Sequence, residues 1–231
     1  MNKLKFASIF ETLQGEGVNC GQATTFIRLH TEDCFPNKKV CSFCDTIGKK
    51  NYNKNLAIND IENYLKENAP HMITLTGGEP FSLDFESLQY LINLCKKYCV
   101  KLEVETNGAY LHLFTNIQQD FFISSFDNIN ISPKLKTSNV GWVYTWKYKF
   151  LKFKEKSNFK FVISEKNFEE EIAEVNKWND ELLLNERIWL MPMTPSKLEF
   201  EKKLFDKCIK LKYNYSTRLH ITLFGNIEEE I

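Results

Sequence analysis

Cys34, Cys41 and Cys44 are the residues whose type and spacing most directly suggest chemistry. Two residues separate Cys41 from Cys44, so both thiolates can reach one metal centre, and Cys34 joins them across the loop FPNKKV. Structural zinc takes four protein ligands, often as two such pairs. No second pair exists here, and the nearest histidine, His30, lies within a strand pattern. Three thiolates around an iron–sulfur cube would leave one iron open, and an open metal position belongs to catalysis or ligand binding. Spacing alone leaves iron–sulfur, zinc and no metal as alternatives. Of the other cysteines, Cys95, Cys99 and Cys208 fall in helical patterns and read as core, while Cys20 sits in a glycine-rich loop without an assignment.

The elements that must position this cluster alternate between strand and helix. ATTFIRLH (23–30), MITLT (72–76), KLEVET (101–106), NINIS (128–132), FKFVIS (159–164), IWLMPM (188–193) and RLHITLF (218–224) read as strands. Helical spacing marks 58–68, 84–99, 167–179 and 196–211. Such repetition predicts parallel strands with crossover helices, and the absence of a linker or internal repeat predicts a single domain over 1–231. Three motifs end strands in order: TGGEP (76–80), ETNG (105–108) and ISPK (131–134). Glycines there allow a ligand close to backbone amides, and strand C-termini are where parallel α/β folds bind ligands.

Composition narrows the partners. Thirty basic residues balance thirty acidic ones, so no general nucleic-acid footprint exists and no direct nucleic-acid partner is expected. No apolar run is long enough to span a bilayer, and MNKLKFASIFETLQ has no signal-peptide core, which predicts a cytoplasmic protein without a membrane partner. KYKFLKFKEK (147–156) interleaves lysines with aromatics and reads as a solvated edge strand, since lysines guard edges against stray pairing.

With these motifs in place, the sequence resembles the radical S-adenosylmethionine superfamily and, more narrowly, the 7-carboxy-7-deazaguanine synthase family. The match rests on SIFETLQGEG (8–17), FIRL (26–29), CSFCDT (41–46), TGGEP, ETNG, ISPK, FKFVIS, WLMP (189–192) and RLHITLFGN (218–226), spread over nearly the whole chain. The cysteine triad and GGEP are specific only to the superfamily; LQGEG with FIRL, and CDT after the triad, narrow it. The resemblance implies an α/β fold, an incomplete, open β/α barrel of the radical S-adenosylmethionine type.

The resemblance also implies a site. Cys34, Cys41 and Cys44 would ligate a 4Fe-4S cluster whose fourth iron chelates S-adenosylmethionine, with Phe43 beside the adenine. Gly77, Gly78, Glu79, Ser132, Pro133, Lys134 and the segment Met191, Pro192, Met193, Thr194 would contact that cofactor. Leu13, Gln14, Gly15, Glu16, Arg28, Thr76 and His220 would hold a 6-carboxy-5,6,7,8-tetrahydropterin. Thr46 would bind Mg2+, which would clamp the substrate carboxylate. A radical generated from the cofactor would start ring contraction to 7-carboxy-7-deazaguanine with loss of ammonia, so no side chain is a nucleophile. A flavodoxin-like electron donor and a homodimer are implied, with 140–153 as the candidate interface.

The sequence departs from the family in the six residues between its first two cysteines and in its acidic tail after Gly225. The competing readings are a glycyl-radical-activating enzyme, which shares the triad and GGEP, and a non-catalytic zinc-binding module.

Overall fold

Strands and helices alternate along the chain, and the computed structural model, which describes residues 4–30, 34–44, 56–141, 144–145 and 147–225, places the strands in one sheet. They are β1 (Phe6–Leu13), β2 (Ala23–Leu29), β3 (Met72–Gly77), β4 (Lys101–Thr106), β5 (Asn128–Ile131), β6 (Ser157–Ile163), β7 (Ile188–Pro192) and β8 (Asn214–Tyr215), side by side in chain order. β1 runs antiparallel to β2, and every later neighbour pair is parallel. β1 and β8 do not pair, which leaves the incomplete, open β/α barrel that the sequence implies. The helices are α1 (Ile58–Asn68), α2 (Phe85–Tyr98), α3 (Asn116–Ser125), α4 (Phe168–Leu182), α5 (Leu198–Leu211) and the short α6 (Leu219–Phe224).

Strand side chains alternate between the two faces of a sheet, and the register sorts them sharply. Ile27, Leu75, Val104 and Ile129 lie level with one another, as do Ile131, Phe159 and Ile188, and all are fully buried. On the opposite face Phe26, Thr74, Glu103 and Asn128 share one level, and Glu105, Asn130 and Asn158 another. Each buried Leu, Ile or Phe stabilises by roughly 1.5–3 kcal/mol. The apolar, helix-facing side therefore supplies the stability, and the concave side is left free to be polar.

Local signals set the helix starts. Asp84 accepts from the Ser87 amide (2.9 Å) to begin α2, and Thr115 and Gln118 cap each other's amides to begin α3. A cluster of edge-to-face rings, Phe81, Phe114, Phe122 and Phe126, then packs α3 under the loop that follows β3.

Two expected elements are corrected. RLHITLF is not a strand: residues 219–224 form α6, whose first amide, that of Leu219, bonds to the Gly15 carbonyl (2.9 Å). KYKFLKFKEK is not an edge strand either. Lys147–Lys156 is a run of 3-10 turns with Phe150 and Phe153 buried, and three residues per turn stack positions three apart on the core side. β1, α3 and β8 had no counterpart in the sequence reading. Within the expected interface span, Tyr144, Phe150 and Phe153 belong to the core, while Tyr148 and Leu151 are exposed; Trp142 and Trp146 lie outside the described residues.

Candidate active site

The cysteine loop leaves the end of β2 and folds over the C-terminal ends of the next strands. Cys34 is buried, Cys41 and Cys44 are half-buried, and the Cys44 amide closes a tight turn onto the Cys41 carbonyl (3.1 Å). Burial, followed by the neighbouring Cys44, Glu79 and Cys41, pushes the Cys34 thiol up to about 12, with Lys134 opposing. Cys34 thus lies near enough to both Cys41 and Cys44 to feel their charge. Among the described residues no three His, Cys, Asp or Glu side chains are closed around a single ion. A four-iron cube spaces its ligands more widely than one ion does, and it needs thiolates that a metal, replacing the protons, would stabilise. The donor set fits such a cluster.

Glu79 and Asn107 anchor this loop. The Asn107 side-chain amide donates to the Cys34 carbonyl (2.6 Å). Its own backbone amide donates to Glu79 (2.7 Å), which also accepts from the Thr106 hydroxyl (2.6 Å) and the Phe81 amide (3.1 Å). The Asn107 carbonyl takes the Tyr144 hydroxyl (2.9 Å), and that hydroxyl oxygen accepts from the Lys134 amide (3.1 Å). The ends of β3, β4 and β5 are thereby bound to one another and to Cys34. Thr106, Asn107 and Tyr144 had no assigned role in the sequence reading. The ETNG motif pointed at the first two, but nothing in the sequence marked Tyr144.

Burial pushes the Glu79 carboxyl up to about 7, against the donors Thr106, Asn107 and Phe81 and the charge of Lys134. In the unfolded chain it titrates near the usual 4.5. Between those values the folded protein binds the extra proton, so stability falls as pH rises from about 4.5 to about 7, by on the order of 3 kcal/mol. Glu79→Gln is expected to flatten that decline. A melting-temperature profile that keeps the wild-type slope would remove Glu79 as its source.

The other residues expected around the cofactor line the same rim. Gly77 has φ +111°, and a side chain there would meet the Leu29 amide and carbonyl at 2.4 Å each, so the neighbouring strand dictates this glycine. Gly78 donates its amide to the Leu29 carbonyl (3.2 Å). The Ser132 amide bonds to the Thr106 carbonyl (2.7 Å), and Lys134 Nζ reaches the Ser132 hydroxyl (3.1 Å) and lies 6.0 Å from the Phe43 ring. Pro133 is buried between them. Met191 and Pro192 end β7, the Met193 amide bonds to the Ile163 carbonyl (2.8 Å), and Thr194 accepts from Arg218. Thr46 lies outside the described residues.

The loop after β1 tucks into the concave face and contains three of the expected substrate residues, Gln14, Gly15 and Glu16. Gln14 donates to the buried Glu103 (2.6 Å) and accepts from the Glu16 amide (3.2 Å), while its main chain pairs with Gln22 and Gly21. Asn19 and Asn128 also donate to Glu103, at 2.5 and 2.7 Å. Burial and then Glu105 raise the Glu103 carboxyl, against those donors. Glu16 bonds to Arg218 (2.9 Å) and to Lys160. Burial alone would lower the Lys160 ammonium, but Glu16 and Glu105 outweigh it and keep it charged.

Thr76 donates to Glu105 (2.8 Å), and Arg28 lies level with Thr76 with its guanidinium 5.1 Å from the Phe10 ring. Gln14, Glu16, Arg28 and Thr76 thus share the concave side. Leu13 and His220 instead border a cavity of about 440 Å3 at the N-terminal ends of β2 and β3, the end away from the cysteine loop. His220 also packs on Gly15, where a side chain would come within 2.5 Å of the imidazole. Glu103, Glu105, Asn130, Asn158, Lys160 and Arg218 are site-lining residues without a role in the sequence reading. For the strand residues among them the available signal was a polar side chain at every second position of KLEVET, NINIS and SNFK.

Comparisons with known proteins bear on the family and the fold. The family described as a 4Fe-4S single cluster domain matches residues 13–149, more than half of the chain. The 7-carboxy-7-deazaguanine synthase of Pyrobaculum aerophilum is 29% identical, over 97% of this chain and 96% of that protein. The one from Clostridium acetobutylicum is 32% identical, over 69% of this chain and 68% of that protein. The crystal structure of QueE from Escherichia coli superposes with a TM-score of 0.64 at 19% identity, covering 94% of both chains, which shows the shared fold. With a single-cluster family spanning the cysteine loop and relatives aligned across the barrel, the chain belongs to the 7-carboxy-7-deazaguanine synthase family of radical S-adenosylmethionine enzymes.

Proposed function

We propose that the chain, acting as a single domain, converts 6-carboxy-5,6,7,8-tetrahydropterin into 7-carboxy-7-deazaguanine and ammonia, in 7-deazapurine biosynthesis of the queuosine type. The observation that carries this reading is the cysteine loop tied through Asn107 and Glu79 to the same strand ends that rim a polar concave face. Cys34, Cys41 and Cys44 hold the 4Fe-4S cluster. When bound, the cluster and S-adenosylmethionine together would supply radical chemistry from one reducing electron.

The chain's own residues hold, orient and shield. Gly78, Ser132, Lys134 and the segment Met191–Thr194 seat the cofactor; Gly77 and Glu79 shape the turn that presents it. Glu16 receives the adjacent donors of the pterin's pyrimidine edge, because a carboxylate offers about four lone-pair sites. Gln14 and Gly15 frame that edge by fixing the loop, with Leu13 and His220 behind it. Arg28 presents a planar fork to the substrate carboxylate, with Thr76 beside it. The buried setting excludes water from the reacting carbon.

Thr46 would help to hold Mg2+, an oxygen-seeking cation that would supply charge neutralisation for the substrate carboxylate. Thr46→Ala is expected to raise the magnesium needed for half-activation by about tenfold while leaving iron and sulfide content unchanged. An unaltered magnesium curve removes Thr46 from the site. A flavodoxin-like protein supplies the electron, and two copies pair as a homodimer through the exposed part of 140–153.

The test is anaerobic reconstitution with iron and sulfide, then turnover with S-adenosylmethionine, reductant, magnesium and the pterin. 7-Carboxy-7-deazaguanine appearing with 5′-deoxyadenosine is the expected result. Deoxyadenosine alone discards this substrate and favours a protein substrate, as in glycyl-radical activation.

A further inference from the structure

We propose that Arg218 is a positioning residue that couples the two halves of the site, fixing the pterin-facing carboxylate of Glu16 to Thr194 in the segment after β7. The proposal rests on the pterin reading above. Arg218 Nε bonds to Glu16 Oε1 (2.9 Å), and its Nη1 donates to the Thr194 hydroxyl. Lys160 of β6 takes the other carboxylate oxygen, so Glu16 is gripped from two directions. All three charged side chains are more than four-fifths buried, which makes this an interior feature rather than a solvated surface pair.

Arg218 can transmit position because its own main chain is pinned on both sides. The Ser216 hydroxyl accepts from the Gly17 amide (2.9 Å), and the Leu219 amide donates to the Gly15 carbonyl (2.9 Å). The guanidinium is planar, with its donors in a fixed fork. The acceptor on Nε and the acceptor on Nη1 therefore cannot move independently. A displacement of Thr194 turns the plane, and Glu16 turns with it. A lysine could keep charge beside Glu16 but could not hold both acceptors in one rigid plane.

The consequence is register: Glu16 is in place for the pterin only when the cofactor segment is in place. Without the link both ligands still bind, but the radical is formed with the pterin out of line. Deoxyadenosine is then released without the 7-deazapurine, with both electrons for its reductive release drawn from the supplied dithionite and one proton from solvent.

The experiment uses the reconstituted holoenzyme with dithionite, S-adenosylmethionine and the pterin, comparing wild type with Arg218→Met, Arg218→Lys and Thr194→Val. Arg218→Met is expected to raise the pterin KM by about tenfold and deoxyadenosine released per product by about fivefold, with cluster content unchanged. Arg218→Lys is expected to return KM to within about threefold of wild type while the excess deoxyadenosine persists. Combining Arg218→Met with Thr194→Val should add nothing further to the excess, because both remove one link.

Wild-type coupling in Arg218→Lys and Thr194→Val overturns the proposal and leaves Arg218 as an ion-pair partner only. If Arg218→Met does not fold, Thr194→Val reads the same link from its other end. Should wild type itself yield no 7-deazapurine, the substrate reading fails; should it turn over while every variant couples normally, this proposal alone fails.

Discussion

Cys44→Ala is expected to fold, to lose its intact four-iron cluster and to stop cleaving S-adenosylmethionine. The turn that carries Cys44 is made by main-chain atoms, the Cys44 amide on the Cys41 carbonyl, so the substitution removes a sulfur and leaves the loop path intact. Losing an outer hydrogen-bond partner of a metal ligand costs roughly 10–100-fold in affinity or activity. On the proposed assignment, losing one of three protein ligands should cost well beyond that, because no fourth thiolate is assigned to the cluster. Iron and sulfide content, the visible absorption of the cluster and deoxyadenosine release give three independent readouts. Cleavage at the wild-type rate would overturn the assignment of the triad.

Gly77→Ala should destabilise the protein by about 3 kcal/mol or more through strain at a positive φ and a clash that has no soft side. The added methyl would sit 2.4 Å from both the amide nitrogen and the carbonyl oxygen of Leu29. Those atoms belong to a strand in register with β3, so neither can move without opening the sheet. For a chain of this size such a loss lowers the melting temperature by roughly 6–12 °C. The effect is independent of any cofactor, which separates it from a binding defect. A melt within about 2 °C of wild type would show that the β2–β3 spacing relaxes. The first glycine of TGGEP is thus read as a requirement of strand packing, which leaves the second for the cofactor contact proposed above.

The sequence made the sheet legible wherever a strand was followed by a strong punctuation motif. β3 and β4 were bounded almost to the residue because TGGEP and ETNG mark their ends, and α1 because its apolar positions recur at helical spacing. RLHITLF was misread because a short apolar run fits either period; the bonds from the Thr222 amide to the Arg218 carbonyl and from the Gly225 amide to the Ile221 carbonyl make it helix. KYKFLKFKEK held its answer in Phe150 and Phe153, spaced at three, the period of the 3-10 turns they occupy.

The cluster loop was visible from its cysteines, whereas its support was not. Asn107 and Glu79 act through contacts with Cys34 and Thr106 that are remote in sequence, and Tyr144 reaches Asn107 from an irregular segment that carries no pattern. The acidic floor at Glu103 was hidden for a different reason. KLEVET reads simply as a strand until the register places both its glutamates on the concave side.

The unpaired flanks of β1 and β8 have a consequence for the order in which the chain is assembled. Every other neighbour pair in the sheet is joined by a ladder, but here the span is bridged by Gly17 on Ser216, Gly15 on Leu219 and Glu16 on Arg218, contacts between residues about two hundred positions apart. Bringing such distant segments together carries the largest loop-closure entropy, so contacts of this kind form late. During synthesis from the N-terminus the cysteine loop and its Asn107 anchor are complete long before Ser216, Arg218 and Leu219 exist. The barrel therefore remains a trough until α6 is made, with its acidic lining open to solvent, and becomes a chamber only when that helix latches onto the turn after β1.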